Sequence, residues 1–512
     1  MAYQNWILAT LLRDLELGTS VAEEDGLLQH ARVDTSALTD LLADRVDLVP
    51  GTKGSGKSAL FRIFVEFLPD YMLTQRKVVV AHGVQAHGDP VFHAFKDQFE
   101  SLSEEEFVSF WCIYLVSLAH EQFIRGPRYE QYLHAAGSEI ERFRRACERA
   151  RIPEITTSRS LRQVIEWAIH VVRSWSPRPT VKYAPPGDSG EFTLDLFGTP
   201  QPAERAPATS GAQQELPKYV NDIKVSLEAV LAKADLSLWL MVDKLDEIFP
   251  RRTETERKAL RGLLRAMGYF ASGSIRVKVF LRDDILEQVV QTKDGFTALT
   301  HVRAREAATL RWTPEQIRDV IVKRLFANTG LANYLQVDRD QCNASVEYRA
   351  QCFSRVFPPT VYRLPKQSPT LRWICNRCAD GRGVVTPRDV LDLLIAAKRQ
   401  QQDACTADPR GTSEWIIGAS AIQYGHARLS ERRRDDYLRA EFPHLWPDIE
   451  KFMGKKAEYS EVALQGMLGK EWKPIVDNLV AIGFLSEATA GKRVYTIPFL
   501  YRYGMKVTQG KA

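Results

Sequence analysis

The chain lacks any apolar run approaching the ~18 residues that a membrane-spanning helix needs, so no membrane association is expected. It also lacks a dense cysteine framework. Its seven cysteines are an odd number and widely scattered, as expected of reduced thiols in the cytoplasm rather than of a disulfide scaffold. Nor does one sign of charge dominate: 69 Lys+Arg stand against 64 Asp+Glu, a net charge of +5. That balance neither demands nor excludes nucleic acid, because a local basic face is what matters. The opening residues, MAYQNWILATLLRDLELG, have no basic leader and no small-residue cleavage site. Arg13, Asp14 and Glu16 interrupt their apolar pattern, so an amphipathic helix is expected rather than a secretion signal. No Ser/His/Asp set or metal-nuclease cluster stands out. Cys375 and Cys378 in CNRC would need two more ligands to hold zinc, and Cys342 and Cys352 are the only nearby thiols. Packing is their expected role.

What is present is an ordinary apolar content of 45% spread over 512 residues, too long for one core and suited to several domains. The strongest local signal is VDLVPGTKGSGKSALFRIF. Gly51-Thr52-Lys53-Gly54-Ser55-Gly56-Lys57-Ser58 fits G-x-x-x-x-G-K-[ST], a pattern expected about 0.02 times by chance in a chain this long. In such a loop the glycines let backbone N–H groups turn inward on phosphates, Lys57 reaches the β- and γ-phosphates, and Ser58 ligates Mg²⁺. Ala59 continues into a helix whose positive end faces the anion. A short strand, 46–49, should precede the loop.

The second signal is LWLMVDKLDEIFP, an apolar strand that ends in three acids. Asp243 is expected to hold Mg²⁺, directly or through water, and Asp246 or Glu247 to orient or deprotonate the attacking water. Many ATPases place that acid directly after the magnesium aspartate, where this chain has Lys244. The offset leaves both acids open as the base, with Glu247 preferred.

DKLDE resembles the D-x-L-D-E signature of NACHT and related STAND ATPases, nucleotide-driven oligomerising switches. GTKGSGKSAL, MVDKLDEIF, VKVFLRDDI and TPRDVLDLL together resemble a bacterial P-loop ATPase family associated with phage defence. The likeness covers roughly residues 20–100 and 215–400, plus LSERRRDDYLRAEFP (429–443). It implies that Arg282, at the end of SIRVKVFLRDD, senses the γ-phosphate; the alternative is an ion pair with Asp283, Asp284 or Asp243. AAA+ proteins more often carry a polar uncharged residue there, which favours the STAND-like reading. The likeness also implies that Arg388, in a Pro-Arg pair opening a lid helix, touches the nucleotide as in origin-recognition ATPases. The alternative is a surface pair with Asp389 or Asp392.

The fold expected is α/β: a P-loop NTPase core with a parallel sheet flanked by helices, a helical lid and a C-terminal winged-helix-like domain. Residues 1–44 form an N-terminal helical segment whose AEEDGLL packs beside adenine. The core spans 45–330, with a helical and hairpin insertion at 101–216 that becomes rich in proline over 177–217. The lid spans 331–401 and the last domain 402–512. Within the insertion, Ser103 and Glu106 form a capping box, and Phe107, Phe110, Trp111, Tyr114, Leu115 and Leu118 make a core stripe. Strands are expected at 76–83, 236–242 and 308–312, and a helix from Thr313 stopped by Gly330. Arg303, Arg305 and Arg324 are candidates for a trans-acting arginine. Lys470, Lys473, Lys492 and Arg493 on the last domain are candidates for phosphate contacts.

The function expected is a MgATP-hydrolysing switch that forms a homo-oligomer and works with a separate effector protein. The alternatives are a DNA- or RNA-binding ATPase resembling origin-recognition loaders, and a scaffold that binds ATP without hydrolysing it.

Overall fold

The computed structural model describes residues 2–83, 99–149, 168, 169, 172, 180–183, 192–195, 201, 202, 212–245, 253–271, 273–290, 299–363, 366–490 and 492–511. After a first helix, α1 (Asn5–Asp14), the chain reaches strand β1 (Leu48–Gly51), the glycine loop and helix α2 (Lys57–Arg62). Strand β2 (Val78–Gly83), helices α3 (Glu104–Ala119) and α4 (Ala212–Ala234), strand β3 (Ser237–Val242), helix α5 (Glu254–Phe270) and strand β4 (Ile275–Arg282) follow.

The four strands form one parallel sheet in the order β1-β4-β3-β2. Parallel neighbours need long crossovers, which lay helices on both faces and bury the sheet twice over. The period of two then sorts strand residues between two cores. Val79, Leu238, Leu240, Val277 and Val279 face the α3–α4–α5 side. Val49, Val80, Trp239, Met241 and Phe280 face α2 with Phe61 and Phe64. The strand expected at 308–312 survives only as two isolated parallel bridges beside β1, Leu48 with Glu306 and Gly51 with Leu310.

Helix α3 starts in the expected capping box of Ser103 and Glu106. Trp111 Nε1 donates to Ala259 O at 2.8 Å. Gly262 of α5 lies so close that a Cβ there would sit 2.7 Å from Phe107 Cβ. The front of the stretch read as an insertion is thus a cover of one sheet face. Together with its π-helical extension to Ile124, α3 is the one helix among the described residues long and apolar enough to cross a membrane; 72% of that window is buried inside the protein. The predicted hairpin is present, with Thr180–Tyr183 antiparallel to Phe192–Asp195.

The second half opens with α6 (Pro314–Ala327), capped by Thr313 and Gln316. Gly330 does not stop it but lies inside the next helix, Thr329–Tyr334. The stop is Asn328, whose Nδ2 donates to the carbonyls of Arg324 (2.9 Å) and Leu325 (3.2 Å) in the last turn, where a helix runs out of intrahelical donors. Then come α7 (Pro387–Ala407) and α8 (Ala419–Arg432), the latter running on as a π-helical stretch, Arg433–Arg439. The last part contains β5 (Lys456–Ser460), α9 (Glu461–Leu468), α10 (Trp472–Ala481), β6 (Ser486–Ala490), β7 (Lys492–Thr496) and β8 (Thr508–Lys511). Its sheet order is β6-β7-β5-β8, with β6 and β7 an antiparallel hairpin after two helices.

One apolar core unites α1, α6, α7, α8 and the last part: Leu8, Leu12, Ile321, Leu394, Ile422, Leu464 and Tyr501 all belong to it. The N-terminus is fastened there by Tyr3–Gln4, antiparallel to Thr412–Ser413. All seven cysteines are buried and free, and burial pushes the Cys375 thiol up to about 11. Among the described residues no cluster of three His, Cys, Asp or Glu could hold a metal.

Candidate nucleotide site

The loop between β1 and α2 is where three distant segments meet. Gly54 (φ 82°) and Gly56 (φ 99°) take left-handed conformations that side chains resist. Gly54 also lies against the start of α7: a Cβ there would come within 3.0 Å of Arg388 Cβ. Lys57 Nζ donates to Gly51 O (2.7 Å) and Thr52 O (2.9 Å), so its ammonium is held over the loop. The hydroxyl oxygens of Thr52 and Ser55 are buried and have no hydrogen-bond partner among the described residues. Such groups are costly unless an anion or water meets them. Together with the first N–H groups of α2, which by helix geometry lack intrahelical acceptors, they fit a phosphate chain.

A cavity of about 100 Å³ beside the loop is lined by Gly54, Gly56, Lys57, Ser58, Ala59 and Arg388, and closed by Ala22, Asp25 and Leu28. Residues of the AEEDGLL segment and Arg388 thus line one pocket with the loop. Arg388 Nε donates to Ser20 O at 3.1 Å, while the carboxylates read as its alternative partners are engaged elsewhere: Asp389 with Arg433 and Asp392 with Arg432. Trp312 Nε1 donates to Ser55 O at 2.7 Å, pinning the loop from the edge segment beside β1.

In the sheet, Gly51 lies opposite Arg282 and Val242 opposite Val279. Three strand ends thus present the loop, Arg282 and Asp243 along one edge, at the carboxyl ends where open α/β sheets bind ligands. Asp243 is 3% exposed. Asp246 and Glu247 lie outside the described residues. Lys244, in the left-handed region at φ 58°, reaches Glu23 of the N-terminal segment at 2.7 Å. The position where other ATPases carry an acid is here a tether to the cleft wall.

Arg282 is 7% exposed and forms a two-pronged pair with Asp284 (2.9 and 2.8 Å), the alternative that the sequence left open. It also donates through Nη1 to Glu441 Oε2 at 3.2 Å. Glu441 in turn pairs with Lys53 of the loop. In the sequence Glu441 falls within the 429–443 stretch but carries no role there, since nothing local ties an acid between Ala440 and Phe442 to a loop nearly 400 positions upstream.

Two arginines read as trans-acting candidates turn inward. Arg324 is 6% exposed and holds Asp25 (3.1 Å) and Leu17 O (2.9 Å), tying α6 to the cleft wall. Arg305 pairs with Asp47 at the root of β1. Arg303 has its side chain 59% exposed and lies 4.0 Å from Glu306.

The loop, the sheet order and the aligned strand ends decide the architecture. This is a P-loop NTPase fold. In sequence, no known family and no curated protein matches the chain. Among solved structures, the chain is similar to the Walker-type ATPase PABY2304 of Pyrococcus abyssi, at 11% identity and TM-score 0.39, with 97% of this chain and 100% of that one aligned. It is also similar to the ORC1 protein of Aeropyrum pernix, solved in complex with DNA, at 12% identity and TM-score 0.37, with 95% and 96% aligned. Likenesses this distant carry no argument about activity.

Proposed function

We propose that the chain binds MgATP at the β1–α2 loop, hydrolyses the γ-phosphate, and uses the nucleotide state to switch the arrangement of lid and C-terminal part. The observation that carries this reading is the loop itself, with two buried hydroxyls and a lysine drawn over it, roofed by Arg388 of the lid. Lys57 and the loop N–H groups hold the phosphates. Ser58 and Asp243 hold Mg²⁺, which when bound neutralises charge on the transferring phosphoryl group. Glu247 or Asp246 accepts the proton of the attacking water. Arg282 steadies the γ-phosphate. As in STAND switches, including those of phage defence, the chain would assemble as a homo-oligomer in the cytoplasm and pass its signal to a separate effector.

Titration calorimetry tests the reading. Lys57→Ala should abolish tight MgATP binding, and undiminished affinity would refute it. Glu247→Gln or Asp246→Asn, whichever removes the base, should keep binding and lower turnover by about 10²–10⁴-fold. Turnover in the wild type separates this enzyme from a non-hydrolysing scaffold.

The nucleic-acid reading has less behind it. Lys473 already faces Asp477 at 2.9 Å, and Arg493 faces Glu487 at 3.3 Å. Stimulation of turnover by DNA or RNA, with binding that weakens steeply as salt rises, would favour it.

A further inference from the structure

Glu441 is a buried carboxylate, with its side chain 5% exposed, set between two cations that belong to the nucleotide site. One is Lys53, from the middle of the glycine loop. The other is Arg282, at the end of β4, 3.2 Å from Glu441 Oε2. The acid is not local to either. It comes from the stretch after α8, about 160 residues beyond Arg282 and 390 beyond Lys53 in sequence. The same stretch is bolted to the lid: Arg433 Nη2 donates to Asp389 Oδ2 at 2.7 Å, beside Arg388. Burial works against the Arg433 charge, but Asp389, together with Tyr501 and Tyr437, raises its pKa. Between Arg433 and Glu441 runs the π-helical stretch, a rare geometry that often marks functional positions. Thr386 Oγ1 also donates to Asp389 Oδ2, at 2.7 Å, so the lid helix start and this stretch share one carboxylate.

We propose that Glu441 is the residue by which this protein distinguishes ATP from ADP. Its carboxylate holds Lys53 and Arg282, and a γ-phosphate seeking those cations must displace it, because Arg282 already pairs with Asp284 as well and a further anion brought against Glu441 meets strong repulsion. A diphosphate ends before that point and leaves the contact in place. Only ATP therefore releases the 433–441 stretch, and through Arg433 and Asp389 the release is felt at the lid. The inference rests on the ATP-binding reading above. It supplies what a population shift requires, an interaction that differs between the two ligands.

The test compares MgATP-analogue and MgADP affinities of the wild type and Glu441→Gln, which keeps the shape and removes the charge. A slowly hydrolysed analogue is used. In the variant the preference for the triphosphate over ADP should rise about tenfold, with ADP affinity changed less than about twofold. An unchanged preference, or an equal shift for both ligands, overturns the proposal. Hydrogen exchange of the wild-type full chain gives a second readout that does not depend on the variant folding. Residues 433–441 should exchange faster with the analogue than with ADP, and equal protection overturns the proposal. If the wild type binds ADP and the analogue but shows neither effect, only the proposal falls. If it binds no nucleotide, the ATP reading itself has failed.

Discussion

Lys278 is fully buried in the middle of the sheet, a position where an unpaired ammonium would not persist. Its Nζ donates to Asp47 Oδ1 and Val46 O, both at 2.7 Å, contacts Asp44, and lies 4.4 Å from the centre of the Trp239 ring. Every donor is used, and the cluster fixes the root of β1, from which the phosphate loop springs. Lys278→Ala should lower stability by about 3 kcal/mol, because it strips a buried ion pair of one partner. Urea denaturation followed by tryptophan fluorescence measures it, and a loss under about 1 kcal/mol would show that Arg305 alone satisfies Asp47. At this scale, residues 51–58 were legible because a phosphate loop is contiguous, each member specified by its neighbours. Arg303, Arg305 and Arg324 could not be told apart in the sequence, where a structural role stood beside the trans-acting one for each, because an arginine's partner is set by three-dimensional packing; Arg305 and Arg324 pair within the chain.

Helix ends were the most legible elements. Ser103/Glu106 cap as read, Thr313 caps as read with Gln316 closing a box that the reading did not name, and Thr386 accepts from Asp389 N. A cap acts within four residues, so local sequence contains the whole interaction. Where an end is made by a side chain reaching across the fold, as Asn328 also bonds Glu16 O, the reading chose the wrong residue. Helix α8 carries a further consequence. His426 is partly buried, its Nε2 3.0 Å from Phe499 O; burial lowers its pKa to about 4, with the Phe499 contact opposing the fall and Arg377 adding to it. Unfolded, it returns to about 6.5. Between those values the unfolded chain binds more protons, so stability falls as pH drops from about 6.5 towards 4, by up to about 3 kcal/mol. Midpoints of urea unfolding at pH 7 and pH 5 should converge in His426→Gln relative to the wild type. An unchanged pH slope would show that His426 is not the group responsible.

For the molecule as a whole, the sheet-based half and the helical half meet at the loop from opposite sides, and the N-terminal chain crosses between them. α1 packs with α7, residues 19–28 wall the cleft, and β1 follows. Relative motion of the halves would therefore tug on the cleft itself. Arg303 keeps its exposed position on the sheet-based half, open to a neighbouring copy. If it completes the site of that copy, Arg303→Ala should leave ATP affinity unchanged and lower turnover about 10³-fold. Mixing the variant with Lys57→Ala should partly restore turnover, since intact loops then meet intact arginines. Steady-state rates across mixing ratios, with light scattering to follow assembly, check this; unchanged turnover in the single variant would exclude the role.

The sequence by itself determined the chemistry available: a phosphate loop, an acid-ended strand, an arginine-ended strand and capped helices. Each is written in a few adjacent residues, because backbone periodicity and turn stereochemistry act over that range. Only the tertiary structure decided that Glu441 stands between Lys53 and Arg282, that Arg324 closes on Asp25, and that α1 packs with α7. Those contacts join positions hundreds of residues apart, and their pairing depends on which surfaces the packed cores leave facing one another.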